Sequence, residues 1–172
     1  TSATFKGPVG VQIYSLRNQL KQDGAKALDV LKALNVKYVE IGIESHYGLT
    51  QEQMKQALDE RGLIPIAAHA GQGFLLNKTE EAIAAARYFG LKYLGVAWAS
   101  HQKPLDEAQT LKIAADFNEI GKRLKAAGIQ FFYHNHGFEF YPYKDGTLFD
   151  LLMEKTDPDL VKFEMDVLWT VF

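Results

Sequence analysis

The sequence contains no cysteine, and this absence excludes disulfide bonds and thiolate metal ligands. It also has no apolar run of the roughly 20 residues that a membrane-spanning helix needs, so we expect no membrane segment. No stretch is strongly basic, and the formal net charge is -2. Because phosphate backbones are bound by clustered lysine and arginine, nucleic acid is not expected as a partner.

What is present is the composition of a folded domain. Hydrophobic residues make up 47% and charged residues 23% of the 172 residues, the balance of a globular protein with a sizeable core. We therefore expect a single domain over residues 1–172. The chain opens TSATFKGP without a methionine, as after processing or a designed start. The sequence does not decide between a cytoplasmic protein and one that is exported after removal of a signal peptide.

Six short β-rich runs alternate with segments of helical periodicity. The clearest helical segment spans residues 106–128, where Ile113, Phe117, Ile120 and Leu124 share one face. The distance from strand to strand is about 27 to 37 residues, the length of a parallel βαβ unit. The six runs are Val9–Ser15, Lys37–Ile43, Ile64–His69, Lys92–Trp98, Ile129–Asn135 and Val161–Val167.

Local signals mark where the helices begin and end. Thr50 is followed three residues later by Gln53, the pattern of a capping box at the start of a helix. Gly90 stands where a helix needs a residue that tolerates left-handed geometry. The predicted elements therefore have ends that agree with their periodicity.

Two architectures fit this alternation, a doubly wound open sheet and a (β/α)8 barrel. No glycine-rich phosphate fingerprint follows the first run, where QIYSLRNQ stands, and this weakens the dinucleotide-binding version of the open sheet. Polar side chains cluster at the carboxyl ends of the runs, where a barrel builds its active site. We therefore predict an α/β fold, a TIM barrel whose strand order follows the chain. The open sheet would instead place the first strand in the middle.

The strand count falls short of a complete barrel. A TIM barrel has eight strands in typically about 250 residues, whereas this sequence shows six strand runs. We expect about six βα units, an incomplete barrel in which the C-terminal strands seven and eight are missing. A longer gene product or a partner chain would then supply the last two strands.

Titratable side chains concentrate where the fifth and sixth runs end. Alternation puts His134 and His136 on one face of the fifth run, and Glu139 follows three residues later. In the sixth run, Glu164 and Asp166 share a face. A pair of carboxylates at a barrel mouth can hold a divalent cation, and one can also take a proton from carbon next to a carbonyl. The donors suit Mn²⁺, Mg²⁺, Co²⁺ or Zn²⁺ without distinguishing them.

Alternation also points Glu40 and Glu164 into the barrel interior. A buried carboxylate needs a partner that offsets the loss of its hydration. Arg17 and Lys162 are the candidates for this partner in the sequence.

Five motifs occur in order from the first run to the last. The two most specific are HNHGFEF at 134–140 and FEMDVLW at 163–169. The others are VGVQIYSLR at 9–17, YVEIG at 38–42 and AAHA at 67–70. Together they resemble the sugar phosphate isomerase/epimerase family, the xylose isomerase-like TIM barrels.

This resemblance implies a metal-dependent sugar, sugar phosphate or polyol isomerase or epimerase that moves a proton through an enediolate. The residues that match Glu139 and Asp166 bind the divalent metal in that family, and Glu139 would also act as the base. The family's other two ligands, from strands seven and eight, have no counterpart in this sequence. We therefore expect the intact protein to be an enzyme and the 172-residue chain by itself to be inactive.

Five side chains are expected to meet a small-molecule carbohydrate substrate. They are His69, His134, His136, Trp98 and Trp169, of which the two tryptophans can stack on a sugar face. Ketose epimerases of the superfamily often carry a histidine where this sequence has Trp169. A related dehydratase or lyase on a keto-sugar or inositol-type substrate is therefore an alternative.

Two rivals come from other functional classes. An AP endonuclease of the endonuclease IV type needs more histidine and carboxylate ligands and a basic surface, so five histidines and a net charge of -2 argue against it. A catalytically inactive carbohydrate-binding barrel fragment would retain sugar binding without metal. Assembly into a homo-oligomer is a further alternative for the protein.

Overall fold

A computed structural model describes residues 7–171, so the first six residues and the last residue of the expected domain lie outside it. Contacts divide the chain into two compact units, one ending at Ala68 and the other beginning at His69. Each unit contains parallel strands with helices between them. The single domain over residues 1–172 stays a prediction.

The described residues of the first unit contain the first two strands, most of the third and three α-helices. Strand β1 (Gly10–Gln12) pairs in parallel with β2 (Tyr38–Gly42). The strand predicted over Val9–Ser15 is wrong in its second half, because Ile13–Leu16 form a 3₁₀ turn. Ile13 is buried but Tyr14 is exposed, so no second inward side chain extends the strand. The helices are α1 (Arg17–Asp23), α2 (Asp29–Ala33) and α3 (Gln51–Asp59).

Helix α3 begins as its sequence predicts. The Thr50 side chain accepts a hydrogen bond from the Gln53 backbone N–H, and the Gln53 side chain accepts one from the Thr50 N–H. This reciprocal pair satisfies two N–H groups that a helix start leaves without partners. The helix buries Met54 and Leu58, and β3 (Ile64–Ala70) follows it.

The second unit carries the strand ends with most of the titratable side chains. Helix α5 (Thr79–Phe89) is followed by Gly90 as its C-terminal cap, with φ of 72°, as predicted. A short antiparallel hairpin of β6 (Pro142–Tyr143) and β7 (Gly146–Thr147), which the sequence did not indicate, precedes α7 (Leu148–Lys155). The elements are α4 (Gln72–Asn77), α5 (Thr79–Phe89), β4 (Tyr93–Val96), α6 (Glu107–Ala126), β5 (Gln130–His134), β6 (Pro142–Tyr143), β7 (Gly146–Thr147), α7 (Leu148–Lys155), β8 (Val161–Glu164) and α8 (Val167–Val171).

Strand β5 is the centre of this unit. It pairs in parallel with β4 on one side and β8 on the other, and His134 lies opposite Glu164. Phe117 of α6 packs against β5, with its ring 5.3 Å from Phe131 and 4.8 Å from Tyr133. All three rings are fully buried. This packing fixes the strand whose end carries His134.

The six strands of the main sheet follow the order of the chain, β1-β2-β3-β4-β5-β8. This confirms the order predicted for a barrel, since a doubly wound sheet would place β1 internally. Of the eight βα units in a TIM barrel, the described residues contain about six. Among residues 7–171, no helix has the length and apolar character needed to cross a membrane.

Candidate functional site

A histidine and carboxylate cluster lies at the carboxyl ends of three strands. His69 lies in β3, His134 ends β5 and Glu164 ends β8. Oε2 of Glu164 is 3.2 Å from Nε2 of His69 and 3.6 Å from Nδ1 of His134. One ligand atom from each of the three residues lies within 4.8 Å of the others. The arrangement can therefore hold a metal ion.

The two histidines determine the charge of Glu164. Burial by itself would raise the pKa of Glu164, but hydrogen bonds from His134 and His69 outweigh it and lower that pKa to about 2. The carboxylate is therefore ionised near neutral pH. The partner prediction for Glu164 was wrong, because the histidines take the place of Arg17 and Lys162. Lys162 donates instead to the Pro158 carbonyl.

Asp166 lies beside the same cluster, on the other side of His134. Its Oδ2 is 3.4 Å from Nε2 of His134. Its Oδ1 accepts a hydrogen bond of 2.9 Å from the Leu168 N–H. The buried Asn135 accepts from the Asp166 N–H through Oδ1, at 2.9 Å. Asn135 thus positions Asp166. The sequence did not reveal this role, because strand alternation shows only which face of β5 Asn135 occupies and not which residue it contacts.

Glu139 has different surroundings. It lies in the 3₁₀ turn Phe138–Phe140 and is 1% exposed. Its carboxylate accepts hydrogen bonds from the Tyr133 hydroxyl and from the His136 N–H. Burial raises the pKa of Glu139, although both hydrogen bonds act in the opposite direction. Glu139 is not one of the three residues that share the donor cluster, and its role as a metal ligand stays a prediction.

Replacing Tyr133 by phenylalanine is expected to lower the free energy of unfolding by about 1–2 kcal/mol, because the buried carboxylate of Glu139 loses a donor. Chemical denaturation of the purified protein measures this. Tyr88→Phe is the matched control, since Tyr88 is 43% exposed and should change stability by less than about 0.5 kcal/mol. Equal effects of the two substitutions would show that the Tyr133 hydroxyl does not stabilise the fold.

Aromatic side chains surround His136. Its ring lies 5.1 Å from Trp98 and 5.8 Å from Trp169. Phe138 lies 4.9 Å from Trp98 and 4.2 Å from the ring of His101, a residue the sequence analysis did not select. Burial lowers the pKa of His136, which favours the neutral ring. Trp98 is 48% and Trp169 is 43% exposed, so each keeps an accessible surface.

The structure therefore divides the predicted site residues into three groups. His69, His134 and Asp166 lie together with Glu164. Glu139 accepts from the Tyr133 hydroxyl, and Trp98, His136 and Trp169 form an aromatic cluster. His136 joins the groups, because its ring lies 5.2 Å from that of His134 and its N–H donates to Glu139. Their predicted roles in binding and catalysis stay predictions.

Solved structures share this fold. The chain is 27% identical to a sugar phosphate isomerase/epimerase from Parabacteroides distasonis, covering 99% of this chain and 69% of that one with a TM-score of 0.79. A xylose isomerase-like TIM barrel protein from Mycobacterium smegmatis, in complex with magnesium, is 14% identical, with coverage of 92% and 64% and a TM-score of 0.67. The fold is that of the xylose isomerase-like TIM barrels.

Other proteins with different activities share the xylose isomerase-like fold. An AP endonuclease of family 2 from Brucella melitensis is 12% identical, with coverage of 94% and 69% and a TM-score of 0.69. No protein-family model and no curated protein matches this sequence. The neighbours named as isomerases or epimerases support the general isomerase or epimerase class for this chain. The fold by itself does not distinguish this class, because the AP endonuclease shares it.

Proposed function

We propose that the intact protein is a metal-dependent isomerase or epimerase of sugars or sugar phosphates. The observation that carries this proposal is the convergence of His69, His134 and Glu164 at the carboxyl ends of three strands. In a TIM barrel, the active site is built at this edge of the strands. The chain spans 64% of the Mycobacterium protein, so the proposal concerns the whole gene product.

The donor groups fit a divalent cation. Imidazole nitrogens and a carboxylate oxygen converge within 4.8 Å, and Asp166 contacts His134. The resemblance adds Glu139 to the residues that would hold the ion, together with Asp166. A bound divalent ion would stabilise negative charge on two sugar oxygens as the neighbouring C–H bond breaks. Mn²⁺, Mg²⁺, Co²⁺ and Zn²⁺ remain candidates.

Glu139 is the proposed base. A general base works best when its pKa is close to the working pH, and burial raises the pKa of Glu139 in that direction. The Tyr133 hydroxyl and the His136 N–H hold the carboxylate in one orientation. The proton would leave the carbon next to the carbonyl and leave an enediolate. Its return to the other carbon isomerises the sugar, and its return to the opposite face epimerises it.

The aromatic cluster is the proposed sugar-binding surface. Trp98 and Trp169 can cover the C–H face of a sugar ring. A neutral His136 can exchange hydrogen bonds with a hydroxyl, because one ring nitrogen donates and the other accepts. The net charge of -2 favours a small carbohydrate over nucleic acid, which the endonuclease alternative would require.

A substrate screen on the intact protein tests this function. Aldoses, ketoses and their phosphates are incubated with protein that has been stripped with EDTA and then given Mn²⁺ or Mg²⁺, and products are resolved by chromatography. We expect an isomer or epimer only in the metal-loaded samples. A dehydrated or cleaved product would replace this proposal with the lyase alternative, and sugar binding without turnover would replace it with the carbohydrate-binding alternative.

A further inference from the structure

His101 follows β4 and adjoins the aromatic cluster of Trp98, His136 and Trp169. Its ring stacks on Trp98, with 5.6 Å between the ring centroids and 26° between the ring planes. Its centroid also lies 4.2 Å from that of Phe138. Two aromatic contacts therefore hold this imidazole beside the surface that we propose for sugar binding.

One ring nitrogen of His101 is fixed by the backbone. Nδ1 lies 2.7 Å from the carbonyl oxygen of Ala99. Because a carbonyl oxygen only accepts, Nδ1 must carry a proton in this hydrogen bond. In the neutral ring, Nε2 then has the lone pair and acts as an acceptor. The backbone thus determines which nitrogen of His101 is available to a ligand.

Nε2 of His101 is open to a ligand. Within residues 7–171 it has no hydrogen-bond partner, and it is not buried. The residue lines an open groove of about 480 Å³ together with Gln102 and Gln109, and small-molecule sites have volumes of this order. A hydroxyl group of a bound sugar can therefore reach the acceptor.

His101 also lies near the proposed base. Burial is the largest influence on the pKa of Glu139 and raises it, whereas hydrogen bonds and the charge of a protonated His101 act to lower it. Because the interaction of two charges weakens with distance, the two side chains lie in the same part of the site. A sugar that extends from Glu139 along Trp98 would meet the ring of His101.

We infer that His101 is a substrate-binding residue whose Nε2 accepts a hydrogen bond from one hydroxyl group of the sugar. The inference rests on the proposed function, because it takes the aromatic cluster as the sugar-binding surface. An enzyme that hydrogen-bonds a substrate hydroxyl discriminates against the analogue that lacks it. The fixed acceptor of His101 therefore selects sugars that carry a hydroxyl at one particular carbon.

Two substitutions separate the two nitrogens of His101. Glutamine places its amide near the position of Nε2, whereas asparagine places its amide near that of Nδ1 and can keep the bond to Ala99. Both remove the ring and its contact with Trp98, so this loss is common to the two variants. We expect His101→Gln to bind sugar about 3- to 10-fold more tightly than His101→Asn, the usual contribution of one hydrogen bond.

Quenching of tryptophan fluorescence measures this binding, because both tryptophans of this sequence lie in the aromatic cluster. The metal-loaded intact protein and the two variants are titrated with D-glucose, D-fructose and D-xylose, and circular dichroism checks that each variant is folded. We expect the unsubstituted protein to bind at least one of these sugars and the variants to follow the stated order.

Monodeoxy analogues of the sugar that binds most tightly provide a second measurement. One analogue should bind the unsubstituted protein about 3- to 10-fold more weakly than the parent sugar does. The same analogue and the parent sugar should bind His101→Phe equally, because the acceptor is already absent. His101→Phe keeps an aromatic ring beside Trp98, so this comparison serves even if the amide variants do not fold.

Three results would overturn the inference. They are equal or reversed affinities of His101→Gln and His101→Asn, a hydroxyl series in which His101→Phe discriminates as the unsubstituted protein does, and the absence of quenching by all three sugars. Binding in the expected order without formation of an isomer or epimer supports the inference and contradicts the proposed function. Turnover of a sugar that both amide variants bind equally does the reverse.

Discussion

Replacing Glu139 by glutamine is expected to lower kcat of the intact protein by about 100- to 10,000-fold, the usual contribution of a general base. The glutamine amide has nearly the shape of the carboxylate but cannot take up the proton. Its amide oxygen can still accept from Tyr133, so we expect a smaller change in KM than in kcat. Steady-state kinetics on the sugar identified by the substrate screen measures both constants.

The matched control for this substitution is Glu119→Gln. Glu119 is an exposed carboxylate of α6 that bonds to Arg123 within the same helix. We expect its replacement to leave kcat within about twofold, since surface changes away from a site have little effect on the fold. Full activity of Glu139→Gln would assign the proton transfer to another group.

Replacing Gly121 by alanine is expected to lower the free energy of unfolding by about 2–3 kcal/mol. Helix propensity predicts the opposite sign, because alanine is favoured over glycine by about 1 kcal/mol inside a helix. Packing should win here, since a Cβ at position 121 would lie 2.6 Å from the backbone oxygen of Leu160. Leu160 directly precedes β8, so relief of this clash would also displace the strand that ends in Glu164. Urea unfolding followed by circular dichroism measures the change.

Gly73 provides the matched control. It also lies in a helix, α4, but a Cβ added there would meet no heavy atom within 4 Å. Gly73→Ala should therefore leave stability unchanged or raise it by up to about 1 kcal/mol. Equal stability of the Gly121→Ala and Gly73→Ala proteins would show that α6 can move away from Leu160 without loss.

Much of the fold follows from local sequence signals. The face formed by Ile113, Phe117, Ile120 and Leu124 is buried in α6 as its periodicity predicts. The first strand was predicted too long because VGVQIYS has β propensity throughout, yet propensity does not show where the chain turns into the next helix. The hairpin of β6 and β7 was missed since each of its strands has only two residues.

The sequence predicted which residues belong to the site better than it predicted the contacts between them. Motifs selected His69, His134, Glu139 and Asp166. The contact between His69 and Glu164 joins residues that are 95 positions apart, and no local pattern encodes it. Alternation likewise shows which side of a strand a residue occupies but not which partner it meets. For this reason the partner of Glu164 was assigned to cationic side chains rather than to histidines.

Proton transfer from sugar to protein is the central claim, and exchange with heavy water tests it most directly. The metal-loaded intact protein is incubated with its sugar in D₂O, and the C–H next to the carbonyl is followed by NMR. We predict deuterium in the product at the carbon that receives the proton, which is the former carbonyl carbon in an isomerisation and the original carbon in an epimerisation, with exchange lost in Glu139→Gln. Deuterium incorporated by Glu139→Gln as fast as by the unsubstituted protein would contradict the account in which Glu139 carries the proton.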